Sequence, residues 1–371
     1  MINSRGRFEA LDYARFFCAL SVVFFHYTFN GIVNGKIETI TALPPISSIT
    51  QYGYLGVEFF FMVSGYVIFI SATNRSASKF AVSRAVRLFP SYWFAVLFTA
   101  VFALWLGGNS KMSVTIPQVI ANLTMIQQAF GFEHVDSVYW TLMYELMFYM
   151  FIFIIIFMGL QSYLKKIFLA WPLFILILVK GFEINIPLLS GYYSYFAAGA
   201  IFAILKSDKS NVFAWTSVII TFYLSISFSI VSLDALSLKK QVYFSPYIVT
   251  AIISLFFIFF CFINTEKGAH LKLPYSQSIG ALTYPLYLIH LHVGYLIINE
   301  FSGSTNFGTV VSFTLGFVLF VSLFMNKIVE NYFSNIWKKL FNSTLGYSIE
   351  LCSKIKKKIL YNVNIKYTNT E

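Results

Sequence analysis

The sequence predicts an all-α polytopic membrane protein of about ten transmembrane helices, with both termini in the cytoplasm. Of its 371 residues, 58% are hydrophobic and only 11% are charged, whereas about 25% are charged in a typical soluble domain. The apolar residues fall in blocks of about 18 to 22, long enough to cross a hydrocarbon core of about 30 Å. A soluble fold would have almost no polar shell, so we exclude it.

The apolar blocks define ten predicted spans with only short polar segments between most of them. The fifth span is the weakest, because it is short and contains Pro172. The spans are predicted at about 10–30, 54–73, 88–107, 139–160, 167–180, 187–205, 212–232, 244–264, 279–299 and 308–328.

The positive charges alternate between the two sides of this arrangement. Most of the 26 lysines and arginines fall on segments that are cytoplasmic if the N-terminus is inside, which is the positive-inside pattern. Two long loops, 31–53 and 108–138, are then outside. The transmembrane domain is predicted over 1–328, followed by a basic amphipathic cytoplasmic tail over 329–371 that lies on the anionic inner leaflet. We therefore expect a multi-pass protein of the cell (inner or plasma) membrane, in contact with its lipids.

Composition also excludes several classes of function. The three cysteines, Cys18, Cys261 and Cys352, are far apart and show no CxxC pattern, so we expect neither a disulfide framework nor a metal site. The net charge of +11 is spread over loops, which argues against nucleic-acid binding. The N-terminal apolar run lacks a small-residue cleavage site, and we interpret it as the first span rather than a signal peptide.

The first span contains two ionisable residues, Arg15 and His26, that need a reason to be in a bilayer. They are 11 residues apart, which places them on one helical face and separates them by about 16 Å. Asp12 precedes Arg15 by one turn and is expected to pair with it. The two residues suggest a polar path from the cytoplasmic face, although His26 alone is equally typical of a structural hydrogen bond.

The fourth span carries Glu145 at a depth close to that predicted for His26. Glu145 lies about 10 Å from the outer end of its span and His26 about 6 Å from the outer end of the first. A carboxylate beside a histidine fixes its tautomer and raises its basicity, as a general base requires. The sequence therefore predicts a His26–Glu145 pair, with a structural ion pair as the alternative.

Two further segments carry polar residues near predicted spans. Arg84 and Arg87 are one turn apart in the predicted first inner loop, where two guanidinium groups suit phosphate or simply contact lipid headgroups. In the second span, Ser64 and Gly65 offer a small surface for close helix packing, and Glu58 is another acid near the outer end.

Taken together, these motifs resemble the acyltransferase 3 family of bacterial membrane O-acyltransferases. The resemblance covers nearly all of residues 7–328 and keeps the order of the family's motifs. The pieces that carry it are Arg15 with His26, Gly56-Val57-Glu58 to Ser64-Gly65-Tyr66, Arg84 with Arg87 and Pro90, Trp140 through Glu145 to Phe148-Tyr149, and Tyr284-Pro285-Leu286-Tyr287-Leu288-Ile289-His290.

The resemblance implies transfer of an acyl group, commonly acetyl, from cytoplasmic acyl-CoA to a hydroxyl of an envelope carbohydrate. Acyl-CoA would be a substrate, and no permanently bound cofactor is expected. The family's histidine falls on His26, its acidic residue on Glu145, and its donor-handling arginines on Arg15, Arg84 and Arg87. Four more positions match family signatures without an assigned role, namely Glu58, Ser64, Tyr287 and His290.

Several alternatives remain open at this point. His26 either deprotonates the acceptor hydroxyl or carries the acyl group as a covalent intermediate. A proton-coupled secondary transporter would also place His, Glu and Arg in the membrane, and a non-catalytic assembly protein for polysaccharides is a third class. Some family members carry a hydrolase-like domain after the last span. Only a short tail follows here, so we expect the protein to act alone or with a partner protein for later steps.

Overall fold

The computed structural model describes residues 8–107, 112–182, 188–189 and 191–368, and this part of the chain is helical without strands. Its longer helices, numbered in chain order, are α1 (Glu9–Val33), α2 (Ser47–Ala72), α3 (Ala77–Leu106), α4 (Ser137–Met158), α5 (Gln161–Val179), α6 (Gly191–Ser207), α7 (Val212–Lys240), α8 (Pro246–Ile263), α9 (Ser276–Phe301), α10 (Phe307–Tyr332), α11 (Ser334–Phe341) and α12 (Tyr347–Thr368).

Among the described helices, nine are long and apolar enough to cross a membrane: α1 to α5 and α7 to α10. The predicted sixth span, 187–205, corresponds to α6, which has 17 residues; position 187 lies outside the described residues. The weak fifth span is present as α5, with Pro172 inside the helix. The prediction of a polytopic all-helical membrane protein is confirmed, and the orientation of the termini stays a prediction.

The third span starts earlier than predicted, at Ala77 instead of 88. The side chain of Ser76 accepts a hydrogen bond from the Lys79 amide at 3.4 Å and caps the helix start, which is what serine does at this position. Arg84 and Arg87 therefore lie within α3 and not in a loop, so that prediction was wrong. Hydropathy reports where apolar residues begin, whereas this helix begins in a polar segment.

Helix α9 forms the centre of the bundle, where α1, α3 and α10 all pack against it. It is the most deeply buried of the candidate spans. Close approach between α2 and α6 depends on glycine, since a Cβ at Gly65 would collide with the backbone of Phe196. The predicted small-residue contact at Gly65 is therefore confirmed. These contacts hold α1, α2, α3 and α9 around a common interior.

The segment after the last span continues as helix. The last turns of α10, Met325–Tyr332, are π-helical, and α11 follows directly. Trp337 and Phe341 of α11 pack against Trp93 of α3, with ring centroids 6.1 and 5.9 Å away. The predicted amphipathic segment therefore rests its aromatic face on α3. Of the predicted tail, 369–371 lie outside the described residues, as do 108–111 of the predicted second outer loop.

Candidate active site

A cavity of about 410 Å³ opens inside the bundle between α1, α2, α3, α4, α9 and α10. We call it the arginine pocket, since three guanidinium groups line it. Its polar wall includes Arg15, Arg84, Arg87, Glu145, Ser64 and Glu330. The structure thus brings Arg15 of the first span together with Arg84 and Arg87, which the sequence placed on a separate element, and sets carboxylates beside them.

The arginines are only partly hydrogen-bonded within the described part of the protein. Arg84 lies over the ring of Tyr149, and its Nε is buried without a hydrogen-bond partner. Arg87 lies 5.2 Å from the ring centroid of Tyr284. Arg15 Nη1 is 3.9 Å from an oxygen of Asp12, which confirms the predicted pair. Each guanidinium has five N–H donors in a planar fork, so the pocket offers several donors to an anion.

Glu145 lies among these arginines and is held by two hydroxyl groups. Ser64 donates to Glu145 Oε1 at 2.8 Å, and Tyr149 donates to the same oxygen. Ser64 was expected to serve helix packing, but its hydroxyl fixes the carboxylate in the cavity wall. The neighbouring Gly65 performs the packing.

Glu330 belongs to the same pocket and was missed by sequence reasoning. Its Oε1 accepts hydrogen bonds from Arg87 Nη1 at 3.4 Å and Ser91 Oγ at 2.8 Å. Its Oε2 accepts from Asn326 at 2.9 Å. The residue follows the last apolar run, in the region predicted as a tail, so hydropathy gave no signal for it. The π-helical end of α10 carries it back to α3.

His26 lies farther along α1, at the start of a π-helical turn formed by His26–Asn30. Such turns are rare in proteins as a whole, and those that occur are frequently at functional sites. His26 Nδ1 is 3.0 Å from the hydroxyl of Tyr295 and 3.1 Å from Nδ2 of Asn30. The imidazole is thus held by α9 and by its own helix.

The orientation of the Asn30 amide follows from a buried lysine. Lys240 donates to Asn30 Oδ1 at 2.5 Å and also to Asn34. Because an ammonium only donates, Oδ1 of Asn30 must face Lys240 and Nδ2 must face His26. In a neutral His26, Nδ1 then accepts the hydrogen bond from Asn30, and the ring proton is on Nε2. The basic nitrogen of His26 is the one that faces Tyr295.

His26 and Glu145 do not form the pair that the sequence predicted. The polar partners of His26 are Tyr295 and Asn30, while those of Glu145 are Ser64 and Tyr149. The depth estimate was an axial coordinate only. Helix α1 packs mainly against α2 and α9, whereas α4 beyond its first turn packs mainly against α2 and α3, so the predicted equal depth did not bring the side chains together.

Tyr287 and His290 lie between the arginine pocket and His26. Tyr287 lines the pocket and its hydroxyl is 2.9 Å from Oγ1 of Thr141. The ring of His290 is 5.7 Å from that of Tyr287 and 5.2 Å from that of His26. These two positions of the sequence motif therefore link the pocket to His26.

Glu58 lies apart from this group. Its side chain is buried, with Oε2 lacking a hydrogen-bond partner, and it is not among the residues that line the arginine pocket. In the described part of the chain, no group of three or more His, Cys, Asp or Glu side chains is arranged to hold a metal ion.

The fold and this site define a multi-pass helical membrane protein with a cationic cavity inside the bundle and a hydrogen-bonded histidine beyond it. The sequence model of one family, described as an acyltransferase domain (Acyl_transf_3), matches residues 8–325. The chain belongs to this family and is a membrane acyltransferase. No curated protein and no solved structure gives a significant match to the chain.

Proposed function

We propose that the protein transfers an acyl group, in the first instance acetyl, from cytoplasmic acyl-CoA to a hydroxyl of an envelope carbohydrate. The observation that carries the proposal is the convergence of Arg15, Arg84 and Arg87 in one cavity of a chain that belongs to an acyltransferase family. The phosphate groups of CoA match guanidinium forks. The pocket therefore suits an acyl donor that carries phosphates.

The donor binds with its phosphates at the arginine pocket. Arg84 has a buried Nε without a hydrogen-bond partner, and Arg87 has a single carboxylate contact at 3.4 Å. The thioester end extends past Tyr287 toward His26. Along α1 the distance from Arg15 to His26 is about 16 Å, which the flexible arm of CoA spans.

His26 acts on the acceptor hydroxyl. The hydroxyl proton passes to His26 through Tyr295, whose own proton moves to Nδ1 over 3.0 Å, and the oxygen attacks the thioester carbonyl carbon. The carbon–sulfur bond then breaks, the ester forms, and the CoA sulfur leaves as the thiol after taking up the proton from His26. Tyr295 and Asn30, at 3.0 and 3.1 Å, orient the ring for this transfer. General-base help of this kind contributes about 10²–10⁴-fold.

The arrangement requires the arginine pocket to open to the cytoplasm of the plasma (inner) membrane. Cysteine labelling tests this orientation in a variant without its three native cysteines. A membrane-impermeant maleimide should label Glu133→Cys in intact cells and should leave Ser343→Cys unlabelled until the membrane is opened. The reverse pattern would refute the orientation.

The reaction itself is tested on surface glycans. Mass spectrometry of the host's envelope carbohydrates, with and without the protein, should show the loss of one acyl mass per modified unit. The purified protein should move radiolabel from acetyl-CoA to the glycan isolated from the deletion strain. Identical glycans in the two strains, together with no transfer in vitro, would refute the proposal.

A further inference from the structure

A second cavity lies at the opposite end of the bundle from the chain's N-terminus and has no role so far. It measures about 420 Å³, which is within the range of small-molecule sites. We call it the Lys36 pocket. Its polar lining includes Lys36, Ser137, His292, His134, Gln118 and Glu133, and Phe132 also lines it.

The floor of the Lys36 pocket is a triangle of three side chains from three parts of the chain. Lys36 Nζ is 3.2 Å from Ser137 Oγ and 3.1 Å from His292 Nε2, and the latter two atoms are 3.2 Å apart. Burial lowers the pKa of Lys36, while the nearby Asp136 carboxylate acts in the opposite direction. Among the described residues, Lys36 has no carboxylate within salt-bridge distance.

Two lining residues of the pocket carry polar side-chain atoms without hydrogen-bond partners among the described residues. Nε2 of His134 is buried without a hydrogen-bond partner. The Glu133 side chain is exposed and has no hydrogen bond or salt bridge to any described residue, although its backbone oxygen accepts from Asn122 at 2.9 Å. Donors, acceptors and one aromatic residue, Phe132, thus line the same cavity, as sugar hydroxyls and a sugar's apolar face require.

The backbone around these groups is fixed. Asn122 accepts a hydrogen bond from the Val135 amide at 3.0 Å and donates to the Glu133 carbonyl. Asp136 accepts from the amides of Val138 and His292 at 3.1 and 3.0 Å. The side chains that line the pocket are therefore presented from a fixed loop and from α9.

The two cavities approach each other across one helical turn. On α4, Ser137 of the Lys36 pocket is four residues from Thr141 of the arginine pocket, about 6 Å along the axis. On α9, His292 is five residues from Tyr287, about 7.5 Å. The hydrogen bond between Thr141 and Tyr287 closes this thin wall. A hydroxyl group bound in the Lys36 pocket and an acyl group at the end of the arginine pocket are therefore close to each other.

We propose that the Lys36 pocket binds the acceptor saccharide, through the Lys36–Ser137–His292 triangle and the Glu133 carboxylate. The inference rests on the proposed acyl transfer, for which it supplies the acceptor site. Tyr295 lies one turn beyond His292 on α9 and contacts His26, so the bound hydroxyl is on the side of the base.

The test compares acceptor and donor dependence in matched variants of the full chain in lipid nanodiscs. The acceptor probe is glycan isolated from the deletion strain, and the donor is acetyl-CoA. Glu133→Gln and Lys36→Gln should each raise the KM for glycan, Lys36→Gln by about tenfold or more because a charged hydrogen-bond donor is lost. The Kd for acetyl-CoA should stay within about twofold, which also reports correct folding.

Two exposed residues outside the pocket provide the matched controls. Glu38→Gln and Lys239→Gln remove the same charges and should leave both parameters within about twofold. If wild type transfers acyl groups and both pocket variants keep its glycan KM, the acceptor site is refuted while the reaction stands.

Direct glycan binding separates the remaining cases. Binding that needs Lys36 in a protein that transfers nothing would keep the site and refute the reaction. A wild-type protein that neither binds nor acylates the glycan would refute both.

Discussion

Removing the Glu330 charge is expected to tighten donor binding. Glu330→Gln keeps the shape of the side chain: its amide oxygen takes the place of Oε2 and accepts from Asn326, and its amide nitrogen takes the place of Oε1 and donates to the Ser91 hydroxyl. It removes the carboxylate that faces Arg87 at 3.4 Å. In the proposed reaction this carboxylate competes with the donor phosphates for Arg87 and repels them.

The size of the effect follows from the exposure of the pair. The Arg87 and Glu330 side chains are 36% and 15% exposed, so the pair resembles a partly solvated ion pair, for which about 0.2–1 kcal/mol is typical. Since about 1.4 kcal/mol corresponds to a tenfold change, the Kd for acetyl-CoA should fall by up to about fivefold. Salt should shrink the difference, because screening weakens such pairs.

Equilibrium binding of radiolabelled acetyl-CoA to the purified protein measures the effect at two salt concentrations. Glu350→Gln is the matched control, because Glu350 accepts a hydrogen bond from Ser78 at 3.3 Å and is not among the lining residues of the pocket. A folded Glu330→Gln protein with unchanged or weaker binding would refute the reasoning. It would mean that Glu330 holds Arg87 in its binding position instead of competing for it.

Three other predictions concern the same machinery. Arg84→Ala and Arg87→Ala should each weaken acetyl-CoA binding by about tenfold or more, as loss of charged hydrogen bonds does. Lysine at either position should restore binding only in part. Kd values equal to that of the wild type would mean that the two arginines only set the membrane topology. His26→Ala should reduce transfer per folded molecule by about 10²–10⁴-fold. The losses of transfer rate in His26→Ala and in Glu145→Gln should add as free energies in the double variant, because the two side chains are not in contact. A double variant no worse than the worse single one would show coupling. Lys240→Met should lower the transfer rate without changing the Kd for acetyl-CoA, since Lys240 acts through Asn30; a changed Kd would contradict this.

Hydropathy was sufficient for the spans but not for the helix limits. The apolar blocks predicted the helices of the bundle, including α5 with its internal Pro172, because a bilayer demands length and apolarity together. The polar start of α3 was taken as a loop, since Ser83, Arg84 and Arg87 interrupt the apolar pattern. The serine at position 76 was a helix-start signal in the sequence, and it would have placed the arginines on the helix.

At the candidate site, contacts within one helix could be predicted from the sequence, whereas contacts between helices could not. Spacing along α1 placed Arg15 and Asp12 in contact, because residues three apart share a helix face. Contacts between helices depend on which helices are neighbours, and the sequence holds no such signal for His26 and Glu145. Tyr295 and Lys240 were missed for this reason, since they approach His26 and Asn30 from α9 and α7. Asn30 is four residues from His26 on α1, and this spacing is visible in the sequence.

The distribution of charge along the bundle constrains what the enzyme can move. Guanidinium and carboxylate groups line the arginine pocket, and Lys36 and Glu133 line the opposite pocket. Thr141 and Tyr287, which are both uncharged, are hydrogen-bonded to each other on the side of the arginine pocket that approaches the Lys36 pocket. A charge at this depth is costly without a partner, so in the proposed reaction the phosphates of the donor stay at the arginines while a neutral thioester reaches farther. The proposed reaction thus carries only an uncharged acyl group across the wall, which is the part of the donor that this interior can accommodate.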